Sequence, residues 1–258
     1  MLLLAALLGG GAAAADQVEV VVYADDAYPP YSYSLNGEAR GVYPGILRKA
    51  FARMPAYKVQ VLPVPWKRGL KMVEMGEAFA LTPPYYRPDE RPYMDYSAPI
   101  FNENVTLFCN DSVAPKGLPS RWPDDYLGLH IGRNTGYLIG GKEFDQALKQ
   151  GKITLNEARG TEENLRKLLV GRLDCYMNDR HAIQNALARI RTEKAYQKTG
   201  NVVEATVISQ EFGYLGFTRV DPVRYPFKSE FVRQFNVVLN EMKRSGELEQ
   251  IAESELRR

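Results

Sequence analysis

The sequence predicts an α/β protein built on two open, mainly parallel sheets, with the second domain inserted into the first. Three observations carry this expectation. Short apolar, β-branched runs alternate with amphipathic segments of helical period, which is the pattern of β-α-β units. A stretch rich in Pro, Gly, Ser and Asp at 110–125 breaks the alternation, which then restarts, as at a crossing between domains. The last strand and the closing amphipathic segment have no sheet of their own, so they return to the first half. The expected division is 16–110 plus 210–258 for the first domain and 111–209 for the second, with two hinge crossings between them.

VEVVV (Val18–Val22) is a continuous β-branched run, as expected of a buried strand. It leads into YADDAYPPYSY (Tyr23–Tyr33), a rigid aromatic segment at the carboxyl end of that strand. GILRKAFARM (Gly45–Met54) carries Ile46, Leu47, Ala50, Phe51 and Met54 at helical spacing, and Pro55 ends it. KVQVLPV (Lys58–Val64) alternates as a strand, and WKRGLKMVEMG runs helically to Gly76, a suitable C-terminal cap. AFALT (Ala78–Thr82) and NVTLFC (Asn104–Cys109) read as strands. Beyond the break come a strand at LGLHIG (Leu127–Gly132), a helix near Gly141–Lys149 and a strand at ITLNEA (Ile153–Ala158). A helix at Thr161–Leu169, a strand at LDCYM (Leu173–Met177) and a helix at Asp179–Arg191 follow. VVEATVI (Val202–Ile208) and FGYLGFT (Phe212–Thr218) are further strands, and Phe231, Phe235, Val238, Leu239 and Met242 form the apolar stripe of the closing helix.

Composition excludes several function classes. The 258 residues are 45% hydrophobic and 25% charged, with 33 basic and 31 acidic side chains and a net charge of +2. Basic residues are scattered, without the clustered footprint of a nucleic-acid binder. Two cysteines, Cys109 and Cys175, and two histidines, His130 and His181, give little support for a metal centre. Residues 1–15, MLLLAALLGGGAAAA, are apolar and end in an A-x-A-like site at Ala13 and Ala15, which reads as a secretory signal peptide. The mature chain is therefore expected in an export compartment such as a periplasm, where the two cysteines form one optional bridge or stay as semi-buried thiols.

The order of motifs resembles the bacterial extracellular solute-binding proteins of family 3, the periplasmic components of amino-acid-type ABC transporters. YADDAYPPYSY with NGEARGVYPGIL, GEAFALTPPYYRPDERPYMDYSAPI, LGLHIGRNTGY and GTEENLRKLLVGRLDCYMNDRHAI carry the likeness, in the family's order and over nearly all of the mature chain. The resemblance implies a type II periplasmic-binding-protein fold with ligand in the interdomain cleft. It also implies a monomer, no cofactor, a small polar amino-acid-like ligand and an ABC permease as partner in the inner membrane.

In that family the Arg of the Glu-Arg pair grips the ligand's α-carboxylate, a role that falls on Arg91, whose planar fork suits bidentate binding. Without the resemblance, a surface Arg paired with Asp89 or Glu90 is the plainer reading. Asp179 falls where the family places the acid that meets the α-ammonium, and it stands equally well as a helix N-cap. Tyr28 and Trp66 match cleft walls, with core packing as the alternative for Trp66. Asp25, Arg68 and Asn178 are secondary candidates, Asp25 as an orienter of its loop.

The departures from the family pattern are specific. Hydroxyls and backbone amides usually precede the Glu-Arg pair, and here the residues are Pro83, Pro84, Tyr85 and Tyr86. Two prolines remove two backbone donors, so the Tyr85 and Tyr86 hydroxyls replace them or the ligand is not an ordinary α-amino acid. Tyr137, beside Thr135 and Gly136, stands where a small hydroxyl is usual, and Phe79 where an aspartate is frequent. Rival readings are a periplasmic dehydratase on the same fold and a ligand-sensing subunit of a membrane signalling protein. No Ser/His/Asp or metal-ligand constellation supports the enzyme.

Overall fold

The computed structural model describes residues 17–113, 121–220 and 223–256, and the leader expected at 1–15 lies outside them. Among the described residues the chain runs through β1 (Val18–Asp25), β2 (Ala27–Tyr28), β3 (Ser32–Leu35), β4 (Glu38–Arg40), α1 (Val42–Phe51), β5 (Tyr57–Val64) and α2 (Trp66–Glu74). Strands β6 (Ala80–Thr82), β7 (Met94–Tyr96) and β8 (Phe101–Asn110) follow, then β9 (His130–Asn134), α3 (Lys142–Lys149), β10 (Thr154–Ala158) and α4 (Thr161–Leu169). The remainder is β11 (Cys175–Asp179), α5 (Arg180–Thr192), β12 (Val202–Gly213), β13 (Gly216–Thr218), α6 (Lys228–Arg244) and α7 (Glu247–Leu256).

Two five-stranded sheets result, in the orders β5-β1-β6-β13-β7 and β10-β9-β11-β8-β12. In each, three strands pair in parallel and one strand is reversed (β13 in the first, β8 in the second), so four of the five run the same way. The fold is the expected two-sheet α/β arrangement. The final strand β13 does return to the first sheet, between β6 and β7. The passage between sheets differs from the sequence expectation, because β8 already lies in the second sheet ahead of the Pro- and Gly-rich stretch. Its antiparallel partner β12 brings the chain back, with Phe101 opposite Gly213 at the crossing end. The sequence reads β12 as ending at Ile208, whereas irregular register after Glu204 and Val207 disturbs its alternation while the strand continues to Gly213.

The first core joins α1, α6 and α7 to one face of the first sheet. Phe51 packs with Phe231 and Phe235 at centroid distances of 5.6 Å, an aromatic cluster that supplies much of the buried apolar area. YADDAYPPYSY is not a plain loop: it holds β2 and opens β3 of a small β2-β3-β4 sheet. Asn36 and Gly37 turn that hairpin with φ of 53° and 81°, the Asn-Gly arrangement that suits strand twist. Helix α1 then seals the segment. The Val42 and Tyr43 amides donate to the Pro30 and Tyr31 carbonyls at 3.2 and 2.9 Å, which satisfies donors that a helix start leaves open.

In the second sheet Cys109 and Cys175 lie directly opposite each other on β8 and β11 and are joined by a disulfide, with Cα atoms 4.0 Å apart. Both are fully buried. The bridge closes a loop of 66 residues, for which loop entropy corresponds to about 4 kcal/mol. The Cys109→Ala/Cys175→Ala double variant is expected to lose stability of that order in urea unfolding, and wild type treated with reductant should follow it. Coincident unfolding curves for oxidised and reduced protein would remove the bridge from the account.

Candidate functional site

Three adjacent parallel strands deliver side chains to one edge of the first sheet, the carboxyl end where open α/β sheets hold ligands. Asp25 ends β1, Trp66 opens α2 just after β5, and Tyr85, Arg87 and Arg91 follow β6. The turn after β9 faces them from the second domain. Its shape follows from NTGY: the Tyr137 amide donates to the Asn134 carbonyl at 3.0 Å and Gly136 takes φ of 80°, as a type II turn requires. Asp25, Tyr28, Trp66, Pro83, Tyr85, Arg87, Arg91, Tyr137, Leu138 and Ile139 line the cleft between the domains. They leave a cavity of about 20 Å³, room for one water-sized body.

Contacts across the cleft are polar as well as aromatic. The Gly136 carbonyl accepts from Trp66 Nε1 and from Arg91 Nη2, each at 3.3 Å. The Tyr137 hydroxyl donates to Asp25 Oδ2 at 2.8 Å, and its ring meets Trp66 and Tyr28 edge-on at 5.8 and 5.6 Å. Arg87 donates to the Leu138 carbonyl and pairs with Glu211, while Arg159 pairs with Asp26 at 2.6 Å.

Arg91 is 3% exposed, and Asp89 and Glu90 point to solvent, so the surface pairing that the sequence allows does not form. Its guanidinium stands 5.6 Å over the Trp66 ring and reaches the Gly136 and Tyr85 carbonyls at 3.3 and 3.5 Å, with the Tyr96 hydroxyl as a further neutral partner. Among the described residues no carboxylate pairs with it. Burial holds its pKa below the usual arginine range. Asp25, 2% exposed, receives the Ala27 amide and Tyr137 and forms no ion pair among the described residues, the nearby Arg159 being paired with Asp26. Burial pushes its carboxyl up to about 7, against the pull of those two donors.

Behind the walls lies Glu103, on β8 and 1% exposed. The hydroxyls of Tyr28 and Tyr43 donate to it, and that of Tyr85 does so at 2.7 Å. Tyr28 is therefore a wall whose ring faces Tyr137 and whose hydroxyl is held from behind. Burial first, and then the negative charge of Asp179, push the Glu103 carboxyl up to about 8. Sequence reasoning missed this residue, together with Arg87, Leu138 and Ile139.

Five sequence candidates stand away from the cleft lining. Asp179 is fully buried: Oδ1 accepts the Ala182 amide as the N-cap of α5 and Oδ2 accepts the Asn104 amide, each at 3.0 Å. Asn178 donates to Thr161 Oγ1 and the Tyr176 hydroxyl in a buried polar network. Thr135 is in the body of the turn, its amide bonded to the Ala158 carbonyl. Tyr86 is half-exposed on a surface cluster with Tyr96 and Tyr214. Arg68 is on the solvent face of α2.

A carboxyl whose folded pKa is raised contributes stability at low pH that is lost as pH rises through the folded value. Unfolding midpoints of the wild type are thus expected to fall between about pH 5 and about pH 8, and those of Glu103→Gln to fall less steeply. Equal slopes for the two proteins would mean that Glu103 is ionised throughout.

The model of the bacterial extracellular solute-binding proteins, family 3, matches residues 20–256. Among solved structures, a histidine kinase sensor domain described as similar to periplasmic binding proteins superposes with a TM-score of 0.74 at 18% identity, covering 92% of this chain and 96% of its own. A structure described with glutathione import and the cystine ABC importer of Streptococcus mutans gives 0.74 at 14% identity, covering 93% and 95%. A putative L-cystine ABC transporter protein of Listeria monocytogenes gives 0.73 at 14%, covering 93% and 96%. No curated protein matches the chain. At such identities the superpositions carry the fold, while the family match spans nearly every described residue. The chain belongs to the bacterial extracellular solute-binding proteins of family 3, on a type II periplasmic-binding-protein fold.

Proposed function

We propose that the protein is an exported solute receptor that takes a small, amino-acid-like carboxylate into the interdomain cleft and delivers it to an ABC permease. The observation that carries this reading is Arg91: a buried guanidinium with no carboxylate beside it is costly unless something arrives to pair with it. The family membership supports export and a small-molecule ligand. Domain motion about the β8–β12 pair would admit the solute, since the present cavity is too small for one. Trp66, Tyr28, Tyr85 and Tyr137 then exclude water around the pair, which strengthens it. The ligand leaves chemically unchanged.

A thermal-shift screen of the mature protein against amino acids, amines and small carboxylates tests the reading. A ligand at about a hundredfold its dissociation constant adds about 2.7 kcal/mol of stability, and at least one carboxylate-bearing solute is expected to do so. Arg91→Met, which keeps the side-chain volume, should weaken that ligand at least about 30-fold, the low end of the cost of breaking a buried charge pair. Without ligand the variant should be no less stable than wild type, because an unpaired buried cation has been removed. Undiminished binding to Arg91→Met would overturn the carboxylate assignment, and conversion of the ligand seen by mass spectrometry would overturn the receptor.

A further inference from the structure

The cleft presents two buried ionisable side chains, one basic and one acidic, and neither forms an ion pair with the other or with any other described residue. Arg91 is one, and Asp25 is the second. A chain of rings lies between them: Asp25 takes the Tyr137 hydroxyl, the Tyr137 ring meets Trp66, and Trp66 carries the Arg91 guanidinium. We infer that the solute is a zwitterion with separated charges, an ω-amino carboxylate whose carboxylate meets Arg91 and whose ammonium meets Asp25. The inference rests on the reading above that Arg91 takes a carboxylate.

The alternative is an α-amino acid, whose ammonium lies two bonds from its carboxylate. Such an ammonium would have to find an anion close to Arg91. Asp179 does not serve, since it is absent from the cleft lining and is fully buried at the start of α5, whereas Asp25 lines the cleft. Glu103 faces three tyrosine hydroxyls and is screened from the cleft by Tyr28 and Tyr85. The groups against Arg91 are the Trp66 ring, the Tyr85 and Gly136 carbonyls and the Tyr96 hydroxyl, with Arg87 already paired to Glu211. An ammonium buried among these groups would lack a counter-charge, a costly arrangement. Asp25 has what is missing there. Each of its oxygens accepts one hydrogen bond from the protein, and a carboxylate oxygen has a second lone pair to offer.

Isomeric probes separate the two classes. 5-Aminopentanoate, 4-aminobutyrate and 6-aminohexanoate would be compared by calorimetry and thermal shift with 2-aminopentanoate (L-norvaline) and with pentanoate. At least one ω-amino acid is expected to bind at least about 30-fold more tightly than L-norvaline and than pentanoate, the discrimination expected when a buried charge loses its partner. In Asp25→Asn, a replacement of nearly equal shape, the advantage over pentanoate should vanish while pentanoate binding is retained. L-Norvaline binding as well as or better than every ω-amino acid would overturn the inference and leave the carboxylate role of Arg91 standing. Pentanoate binding as tightly as the ω-amino acids would do the same. Failure of all five probes would also overturn it, and the receptor reading would fall with it only if the wider solute screen were silent too. An Asp25→Asn variant that still prefers the ω-amino acid would show that the ammonium is met elsewhere.

Discussion

One carboxylate, Glu103, organises the ground on which the cleft is built. Three tyrosines that are far apart in sequence, Tyr28, Tyr43 and Tyr85, come from the aromatic segment, from α1 and from the loop after β6, and all three hydroxyls end on it. Each phenol is an apolar body with one polar tip, and burying the body is favourable only when the tip finds a partner. Glu103 supplies that partner for three rings at once, of which Tyr28 and Tyr85 line the cleft and Tyr43 lies in the core behind them. Because Glu103 sits near the start of β8, the wall of the first domain is tied to the strand by which the chain enters the second. Gly213, opposite Phe101 on β12, completes the arrangement: a Cβ there would fall 2.0 Å from the Tyr43 hydroxyl.

The cleft itself is assembled against local stability. Arg91 and Asp25 are both withdrawn from water, and each is left with neutral partners only. A sequence selected for stability alone would place apolar groups there or bring the two charges together. Aromatic edges and carbonyl contacts hold the surfaces in register, yet the strongest electrostatic interaction available to either charge is left unmade. Sites of this kind are where folded proteins give up stability for recognition.

Most of the fold was legible because its signals are local. The helix at Thr161–Leu169 and the strand begun at Val18 are set by periodicity within a few turns or pleats; the structure has the helix at those residues and carries the strand from Val22 on to Asp25. The Asn36-Gly37 hairpin carries an equally local signal in its dipeptide. The two readings of Asp179 separate in the same terms: capping needs only the next three residues, and it is realised. Arg91 was legible through its place in a family motif, whereas its burial and lack of an ion pair were not, since they depend on Trp66 and Gly136 from distant segments. Glu103 could not be read at all. An acid next to an apolar strand normally faces water, and only three hydroxyls brought in from 60 to 75 residues upstream, or 18 in the case of Tyr85, reverse that expectation.

The insertion of β13 between β6 and β7 also bears on the order in which the molecule is made. Among the described strands β7 pairs with β13 alone, so it has no strand neighbour until residues 216–218 have been made. Every strand of the second sheet, by contrast, lies within the continuous stretch from Phe101 to Gly213. That sheet can close as soon as its own last strand is available, with the disulfide inside it, while the earlier-synthesised half waits for a partner it meets last. During synthesis the amino-terminal portion is thus the late-maturing one, carrying open sheet edges of the kind that invite misassembly.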